Sequence, residues 1–526
     1  PGIQVYNSLT RRKEPFTTVE PGKVSMYLCG PTVYKEAHIG HMVGPVIFDC
    51  VKRYLTHAGY EVTWVVNITD VDDKLIAQSR ERGIPMSQIA TEMTMDYCAN
   101  LLSMGVDQIS SMPRATDHIP QILGFIQELV SRGYAYASEG DVFFDVTRDP
   151  QYGKLSNRTT DQQQGEGGEA AGRKRSVADF ALWKGAKGDG PVWESPWGPG
   201  RPGWHIECSA MCRALFGETF DIHGGGLDLM FPHHENEIAQ SECCHGKPMA
   251  RYWMHNGLLR AGDASGKVGG RGDREDALAT DQGAAPTSGK MSRSAGAGGL
   301  RGLLARQGGE RVRFFLLRSH YRSTIVFSEE AIAEAGTALD KFYVFFERYQ
   351  RVTGQSFYLD RGQPSENRRL IIRRSEHVDA SAESPLLAEV AESRRSFLGK
   401  MDDDFNTGGA MSDLFQILGA LNRFVDSADL EDPQRRNPTD VSAFARGAEI
   451  LRELAGILGL FFKPAAQTRN DQHSDLVDGL MHFVIELRNT ARAQKDFVTA
   501  DRIRDTLTKL RVVVEDRKGE SGWRRE

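Results

Sequence analysis

The chain has 526 residues, more than one hydrophobic core supports, so three or four folding units are expected. Hydrophobic residues make up 40% and charged residues 26%, an ordinary globular balance, and a net charge of −6 supplies no global basic field to draw the chain onto nucleic acid. There is no apolar run of bilayer length and no secretory-type apolar stretch in Pro1-Gly2-Ile3-Gln4-Val5-Tyr6, and the seven scattered Cys give no disulfide framework, so the expectation is a cytoplasmic protein with reduced thiols and no membrane partner.

In chain order, Val24-Ser25-Met26-Tyr27-Leu28 reads as a strand, and Cys29-Gly30-Pro31 turns the chain towards a helical pattern. The turn places Cys29 and His38-Ile39-Gly40-His41 at the carboxyl end of that strand, where open α/β sheets bind ligands. Gly40 lets a nucleotide approach the backbone. His38 and His41 can donate to phosphate oxygens at a helix N-terminus, which already favours anions. Ile47, Cys50, Val51, Tyr54 and Leu55 follow at helical spacing. Residues 61–70 read as a second, largely apolar strand of the buried parallel type. A region from about 113 to 200 interrupts this β–α–β unit with a helix at 119–132, a short β segment at 141–146 and a polar loop at 161–175. The α/β pattern resumes at 201, and 220–223 reads as a strand running into Gly224-Gly225-Gly226.

Between residues 205 and 245 lies a dense pool of metal-ligating types: His205, Cys208, Cys212, His223, His233, His234, Glu235, Glu237, Cys243, Cys244 and His245. Zinc takes Cys, His and carboxylate in tetrahedral sets. Pro232 suits a helix start, which places His233 and Glu237 one turn apart on one face; Cys208 and Cys212 share that spacing. Spacing alone does not say which Cys binds. A buried core role suits Cys212, Cys243, Cys244 and His245, and a ligand role suits Cys208, His233 and Glu237.

Residues 263–289 carry almost no large apolar side chains and cannot build a core, so a mobile loop is expected. Lys290-Met291-Ser292-Arg293-Ser294 follows. Two cations flanking a Ser can close over a triphosphate and stabilise charge on departing pyrophosphate. Beyond 310 the pattern is helical; Leu414, Ile417, Leu418 and Leu421 make one apolar stripe of bundle-core type. The chain ends on a helix through 501–505, a β-like run at 511–516 and Gly522-Trp523-Arg524-Arg525.

The pair His38-Ile39-Gly40-His41 and Lys290-Met291-Ser292-Arg293-Ser294 resembles the two signatures of class I aminoacyl-tRNA synthetases. More narrowly, the chain resembles the cysteinyl-tRNA synthetase family. The likeness is carried by residues 29–41, 67–74, 179–184, 203–211, 221–237, 319–323 and 402–407 and by the C-terminal Trp-Arg-Arg, so it spans almost the whole chain. It implies an α/β fold with a Rossmann-like doubly wound catalytic domain in two halves, 1–112 and 201–257, around a connective insertion at 113–200. A stem-contact region at 258–327, an α-helical tRNA-facing bundle at 328–465 and a small α+β anticodon-binding module at 466–526 follow.

The resemblance also implies the chemistry. Cys29, Cys208, His233 and Glu237 would hold one Zn2+, which the substrate thiolate joins. Zinc prefers soft sulfur to a serine hydroxyl, so serine is rejected where a plain pocket discriminates poorly. Thr69, Trp204, His223 and Asp228 would surround L-cysteine, with Asp228 pairing its ammonium group. His38, His41, Gly40, Gly224 and Gly225 would handle ATP, and Lys290 and Arg293 the pyrophosphate, with Mg2+ as counter-ion. The expected partner is tRNA(Cys), with Arg502, Arg504, Trp523 and Arg524 as contacts through charge and stacking, and the expected state a monomer. Two features depart from the family: Arg293 stands where the signature has Lys, replacing a compact ammonium with a planar fork, and the segment 263–289 is long. Three rival readings are a ligase joining cysteine to a sugar amine, against which the C-terminal module argues, a non-catalytic RNA-binding paralogue, against which both signatures argue, and a nucleotidyltransferase of another H-x-G-H family, which would not need the Cys/His/Glu set.

Overall fold

A computed structural model describes residues 2–158, 171–188, 190–261, 299–358, 384–464, 474–516 and 521–525. The segment 263–289, Lys290, Arg293 and most of the loop expected at 161–175 lie outside the described residues.

The chain opens on an antiparallel hairpin, β1 (Gln4–Asn7) and β2 (Arg12–Pro15). β3 (Lys23–Leu28), α1 (Gly40–His57) and β4 (Glu61–Val66) then form a parallel β–α–β unit. Two helices follow, α2 (Asp73–Arg82) and α3 (Met86–Ser103). Next come α4 (Ile119–Ser131) and four strands in antiparallel order, β5 (Ala135–Ser138), β6 (Asp141–Phe144), β7 (Phe180–Gly185) and β8 (Gly200–Pro202). The chain re-enters the parallel sheet through α5 (Trp204–Phe216), β9 (Phe220–Gly226), α6 (Glu235–His245) and β10 (Ala250–Asn256).

The parallel sheet has the order β10-β9-β3-β4. The chain leaves β3 towards β4 on one side and leaves β9 towards β10 on the other. The carboxyl ends of β3 and β9 are therefore the switch point at which open sheets bind ligands. Side chains alternate between two cores, as the two-residue period demands. Met26, Leu28, Trp64, Val66, Tyr252 and Met254 pack on the α1 side. Tyr27, Val65 and Trp253 pack against Cys208, Met211 and Ile238 of α5 and α6. Both faces are covered, so the sheet is doubly wound.

The expected helix at 119–132 and strand at 141–146 appear as α4 and β6, within a residue or two. The strand expected at 61–70 is shorter: β4 ends at Val66 because the chain then bonds elsewhere. Val66 and Ile68 donate to the carbonyls of Ser111 and Pro113, and Thr69 donates to Pro31. The strand expected from 220 into Gly224-Gly225-Gly226 is β9, which ends on those glycines.

Beyond the sheet, β11 (Leu259–Ala261) pairs in parallel with β12 (Ile325–Phe327). Long helices at Glu329–Thr353, Pro385–Asp402, Thr407–Ser427 and Pro438–Ile457 form a bundle, in which Leu414, Ile417, Leu418 and Leu421 are buried as expected. Helices Ser474–Ala493 and Phe497–Lys509 and an antiparallel pair, β13 (Val512–Asp516) and β14 (Ser521–Arg525), close the chain, with Trp523 opposite Val514. Among the described residues no helix is long and apolar enough to cross a membrane.

One buried cation, Arg313 on the helix Gly309–Leu317, ties α1 to the end of the bundle. Arg313 donates to Asp49 of α1 at 2.5 Å, to the Leu458 carbonyl at 2.8 Å and to the carbonyls of Met104 and Gly105 at 3.3 and 3.2 Å. Burial pushes the Asp49 carboxyl up, but Arg53 and Arg313 outweigh it and hold it below its ordinary range. Removing one member of such a pair strands the other charge, at a cost of about 3–5 kcal/mol. Asp49→Asn should therefore lower the urea midpoint by a corresponding amount; a midpoint equal to that of the unsubstituted chain would show that the pair does not hold the units together.

Candidate active site

The site forms at the switch point. Cys29 continues β3, and its N–H donates to the Gly224 carbonyl. The adjacent Gly30 must be glycine, because a Cβ there would lie 1.8 Å from the Asn67 carbonyl oxygen. Its N–H donates to Asn67 Oδ1 at 2.8 Å, which fixes the turn carrying Cys29. Cys208 lies one turn into α5, and Glu237 lies in the first turn of α6, with His233 just before it.

These four side chains converge. Their donor atoms all lie within 4.8 Å of one another. Cys29 Sγ is 3.9 Å from Cys208 Sγ and 3.5 Å from Glu237 Oε1, and His233 Nε2 is 2.9 Å from the same oxygen. Zinc–sulfur bonds of about 2.3 Å and zinc–nitrogen or –oxygen bonds of about 2.0–2.1 Å give tetrahedral edges of about 3.8 Å between sulfurs and about 3.5 Å between sulfur and oxygen. The two sulfur separations match those edges, while His233 and Glu237 sit at hydrogen-bond distance, closer than the edge of about 3.3 Å that the same bond lengths give, so a zinc-sized ion fits once that proton leaves and the pair parts slightly.

The charges agree. The Cys208 thiol is pulled down to about 6 by the hydrogen bond from Cys29, against burial, with help from His233. Burial pushes Cys29 well above the ordinary thiol range. Burial also acts on Glu237, but His223 and His233 outweigh it and hold the carboxyl near 2. His233, despite burial, is lifted to about 10 by Glu237 and Cys208. Two protons, on Cys29 and His233 Nε2, thus bind the cluster together in the way a divalent cation would. Such ligands exchange protons for metal.

A second set, Cys29, His223, His234 and Glu237, meets the same distance criterion. It shares two members with the first but holds no preformed thiolate. His223 Nε2 is engaged with Glu237 Oε2 at 2.8 Å, and His234 Nδ1 with His255 Nε2 at 2.7 Å. The first set is the better metal site. Its imidazole is also oriented from behind, since His233 Nδ1 lies 2.9 Å from His205 Nδ1.

The residues expected to surround the amino acid are placed as follows. Trp204, the first residue of α5, is half-buried and stacks on His233 at 4.2 Å and 21°. His223 is fully buried and stacks on Trp253 at 4.4 Å. Thr69 is buried beside Thr32, and Asp228 is exposed in the short turn of helix after β9. Gly224 and Gly225 have reasons to be glycine within the protein. A Cβ at Gly224 would lie 2.0 Å from Phe48, and one at Gly225 would lie 2.6 Å from His234.

The expected nucleotide side lies at the start of α1. Gly40 is its first residue, and the turn before it is held by Asp96, whose Oδ2 accepts from the Ala37 N–H at 3.0 Å. The rings of His38 and His41 stack at 3.7 Å. Burial and then Lys35 pull His38 down; burial, His38 and Lys35 pull His41 down to about 3. Both are neutral at pH 7. The His38 backbone N–H donates to His41 Nδ1 at 3.2 Å, so the ring proton of His41 resides on Nε2. The residues sequence reasoning passed over are the supports: Asn67, Asp96 and the orienting role of His205. Asn67 lies in the stretch 67–74 that carries the family likeness but had no role assigned, and Asp96 lies in none of those stretches; each acts on a backbone N–H distant in sequence.

Three comparisons bear on this geometry. The family model for the class I (C) tRNA synthetase catalytic domain matches residues 15–265, that for the DALR domain 396–463, and that for the cysteinyl-tRNA ligase anticodon binding domain 478–524. The chain is 42% identical to the cysteine–tRNA ligase of Symbiobacterium thermophilum and 41% identical to that of Brevibacillus brevis, in each case across 100% of both chains. Among solved structures it is similar in fold to Mycobacterium tuberculosis methionyl-tRNA synthetase in complex with methionyl-adenylate. The TM-score there is 0.55 at 16% identity, over 83% of this chain and 90% of that one.

The neutral state of His41 has a consequence for stability. Its pKa is depressed in the folded chain, so below the ordinary value of about 6.5 the unfolded chain takes up a proton that the folded chain refuses, and stability falls as pH falls. His41→Asn should remove about 1–2 kcal/mol of the stability difference between pH 7 and pH 5, read from urea unfolding at the two pH values. Equal pH dependence in both proteins would show that His41 titrates normally.

Proposed function

We propose that this chain, which belongs to the cysteine–tRNA ligase family, recognises its amino acid through sulfur at the Cys29–Cys208–His233–Glu237 cluster. It is an aminoacyl-tRNA synthetase: it activates cysteine with ATP, releases pyrophosphate and transfers the cysteinyl group to the terminal adenosine of its tRNA. The full-length match, including the anticodon binding domain, favours this over a ligase acting on a small acceptor.

The observation that carries the proposal is the convergence of two sulfurs, an imidazole and a carboxylate at zinc-like separations. A zinc ion bound there would favour the thiolate form of the substrate and a metal–sulfur bond that serine cannot match. The chain's own residues do the rest. His205 holds the His233 ring in orientation from behind, His223 fixes the second oxygen of Glu237, and Trp204 covers His233. Asp228, exposed just after β9, is assigned to the substrate ammonium, and Thr69, buried beside Thr32, to the amino-acid side.

On the nucleotide side, His41 Nε2–H and the ring of His38 act as neutral donors to phosphate oxygens beside the N-terminus of α1, near Gly40. Neutral rings position the triphosphate without titrating at physiological pH. The backbone at Gly224 and Gly225 borders the same edge. Lys290 and Arg293, which lie outside the described residues, are assigned to pyrophosphate by their place in the second signature. Positioning and charge stabilisation then drive attack of the cysteine carboxylate on the α-phosphate, with no protein nucleophile. The setting proposed is a cytoplasmic monomer, with Arg502, Arg504, Trp523 and Arg524 facing RNA.

Metal analysis of the purified protein should give one zinc per chain. Cys208→Ser should lose it and raise the cysteine concentration needed for ATP–pyrophosphate exchange by more than the ~10–100-fold that loss of a merely supporting contact costs a metal site. Full zinc content in that variant would place the ion elsewhere. For the second signature, Arg293→Lys should change the rate of exchange and leave the cysteine requirement alone; an effect confined to the cysteine requirement would contradict the assignment to pyrophosphate.

A further inference from the structure

We propose that Asp96 is a positioning residue for the activation step: its carboxylate, held by Arg301, fixes the turn that carries His38 and His41. The inference rests on the reading of those two histidines as the nucleotide side of the site. Residues 33–38 belong to no helix or strand, so the place of His38 depends on single hydrogen bonds. At the start of this stretch the Val33 N–H donates to the Thr69 carbonyl at 3.3 Å. Next to the histidine, the Ala37 N–H donates to Asp96 Oδ2 at 3.0 Å. Asp96 offers a firm anchor. It lies on α3, whose Ile89, Tyr97 and Leu101 are buried in the core shared with α1, and its own carbonyl accepts from Asn100 at 2.9 Å.

The turn alone needs only an acceptor, which an asparagine would supply. A carboxylate at 8% exposure calls for a cation as well. Asp96 Oδ1 accepts from Arg301 at 3.1 Å. Arg301 belongs to the helix Gly299–Gln307, which begins just after Lys290-Met291-Ser292-Arg293-Ser294 in the sequence and packs on the core through Leu300, Leu303 and Leu304. Glu36 and Glu92 line the same groove; Asp96 is the carboxylate to which Arg301 bonds, and Glu92 pairs with Arg82 at 2.8 Å.

One carboxylate therefore holds the approach to the first signature with one oxygen and the helix after the second with the other. The Arg301 side chain is 78% exposed, so the ion pair adds little to stability. What it supplies is orientation. It sets which way the Asp96 carboxylate faces, and with it the place of Ala37 and of the ring that follows. Asp96 and Arg301 act through the turn and touch neither substrate.

Asp96→Asn keeps an acceptor for Ala37 and removes the charge; Arg301→Gln removes the cation at an exposed position. In ATP–pyrophosphate exchange each should lower kcat/KM for ATP about 10-fold, part of the ~100-fold that a misplacement of about 1 Å costs. The KM for cysteine, the zinc content and the urea midpoint should not change, and Arg301→Lys should retain most of the activity. The double variant should be no worse than either single one, because the two residues act as a unit. Effects that multiply would show that Arg301 acts on its own. A raised KM for cysteine with a lower urea midpoint would mark Asp96 as merely structural, and normal ATP kinetics in both single variants would show that the turn needs no such tie. Each of these results overturns the inference. His41→Asn separates its failure from that of the underlying reading: if this variant also keeps normal ATP kinetics, the nucleotide assignment fails too.

Discussion

The buried carboxylate of Glu237 is the point on which the site depends. It is out of reach of water, and two imidazoles, His223 and His233, one on each oxygen, keep it ionised. Those partners come from a strand and from the helix start, so the carboxylate locks β9 to α6. Cys29 approaches the same oxygen from β3. One charge thus draws the two halves of the parallel sheet together at their switch point. Loss of the carboxylate would remove the main group that holds the His233 proton and would leave His223 and His233 without their shared buried acceptor.

The same sheet edge supports two kinds of chemistry without mixing them. On the α5–α6 side the groups are charged and soft: thiolate, imidazolium and carboxylate. At the start of α1 they are neutral donors, because burial and Lys35 keep His38 and His41 uncharged. A cationic pair there would repel itself across 3.7 Å. Separation is maintained by the turn at Gly30, pinned to Asn67, and the turn at Ala37, pinned to Asp96. The groups proposed to recognise sulfur and to place phosphate therefore sit on one loop, residues 29–41, held at Gly30 and at Ala37 by separate side chains.

Much of this was legible in the sequence because the decisive features are local. A strand, a Gly-Pro turn and His38-Ile39-Gly40-His41 follow one another within 20 residues, and Pro232 signals the start that sets His233 and Glu237 one turn apart. What spacing could not decide was Cys208 against Cys212, which share a helix face; only the approach of Cys29 from β3 separates them. The end of β4 was misplaced because apolar character continues past Val66 while the hydrogen bonds pass to residues 111–114. Gly224 looked like a glycine for a nucleotide, yet contact with Phe48 already requires it, a constraint that exists only once α1 is packed on the sheet.

The central claim is that this cluster holds zinc and that the substrate's sulfur joins it. X-ray absorption at the zinc edge of the purified protein, with and without cysteine, addresses both parts at once. The account predicts a first shell of two sulfurs at about 2.3 Å and two lighter atoms at about 2.0–2.1 Å, rising to three sulfurs when cysteine is added and unchanged when serine is added. A shell with no sulfur, or one indifferent to cysteine, would contradict it.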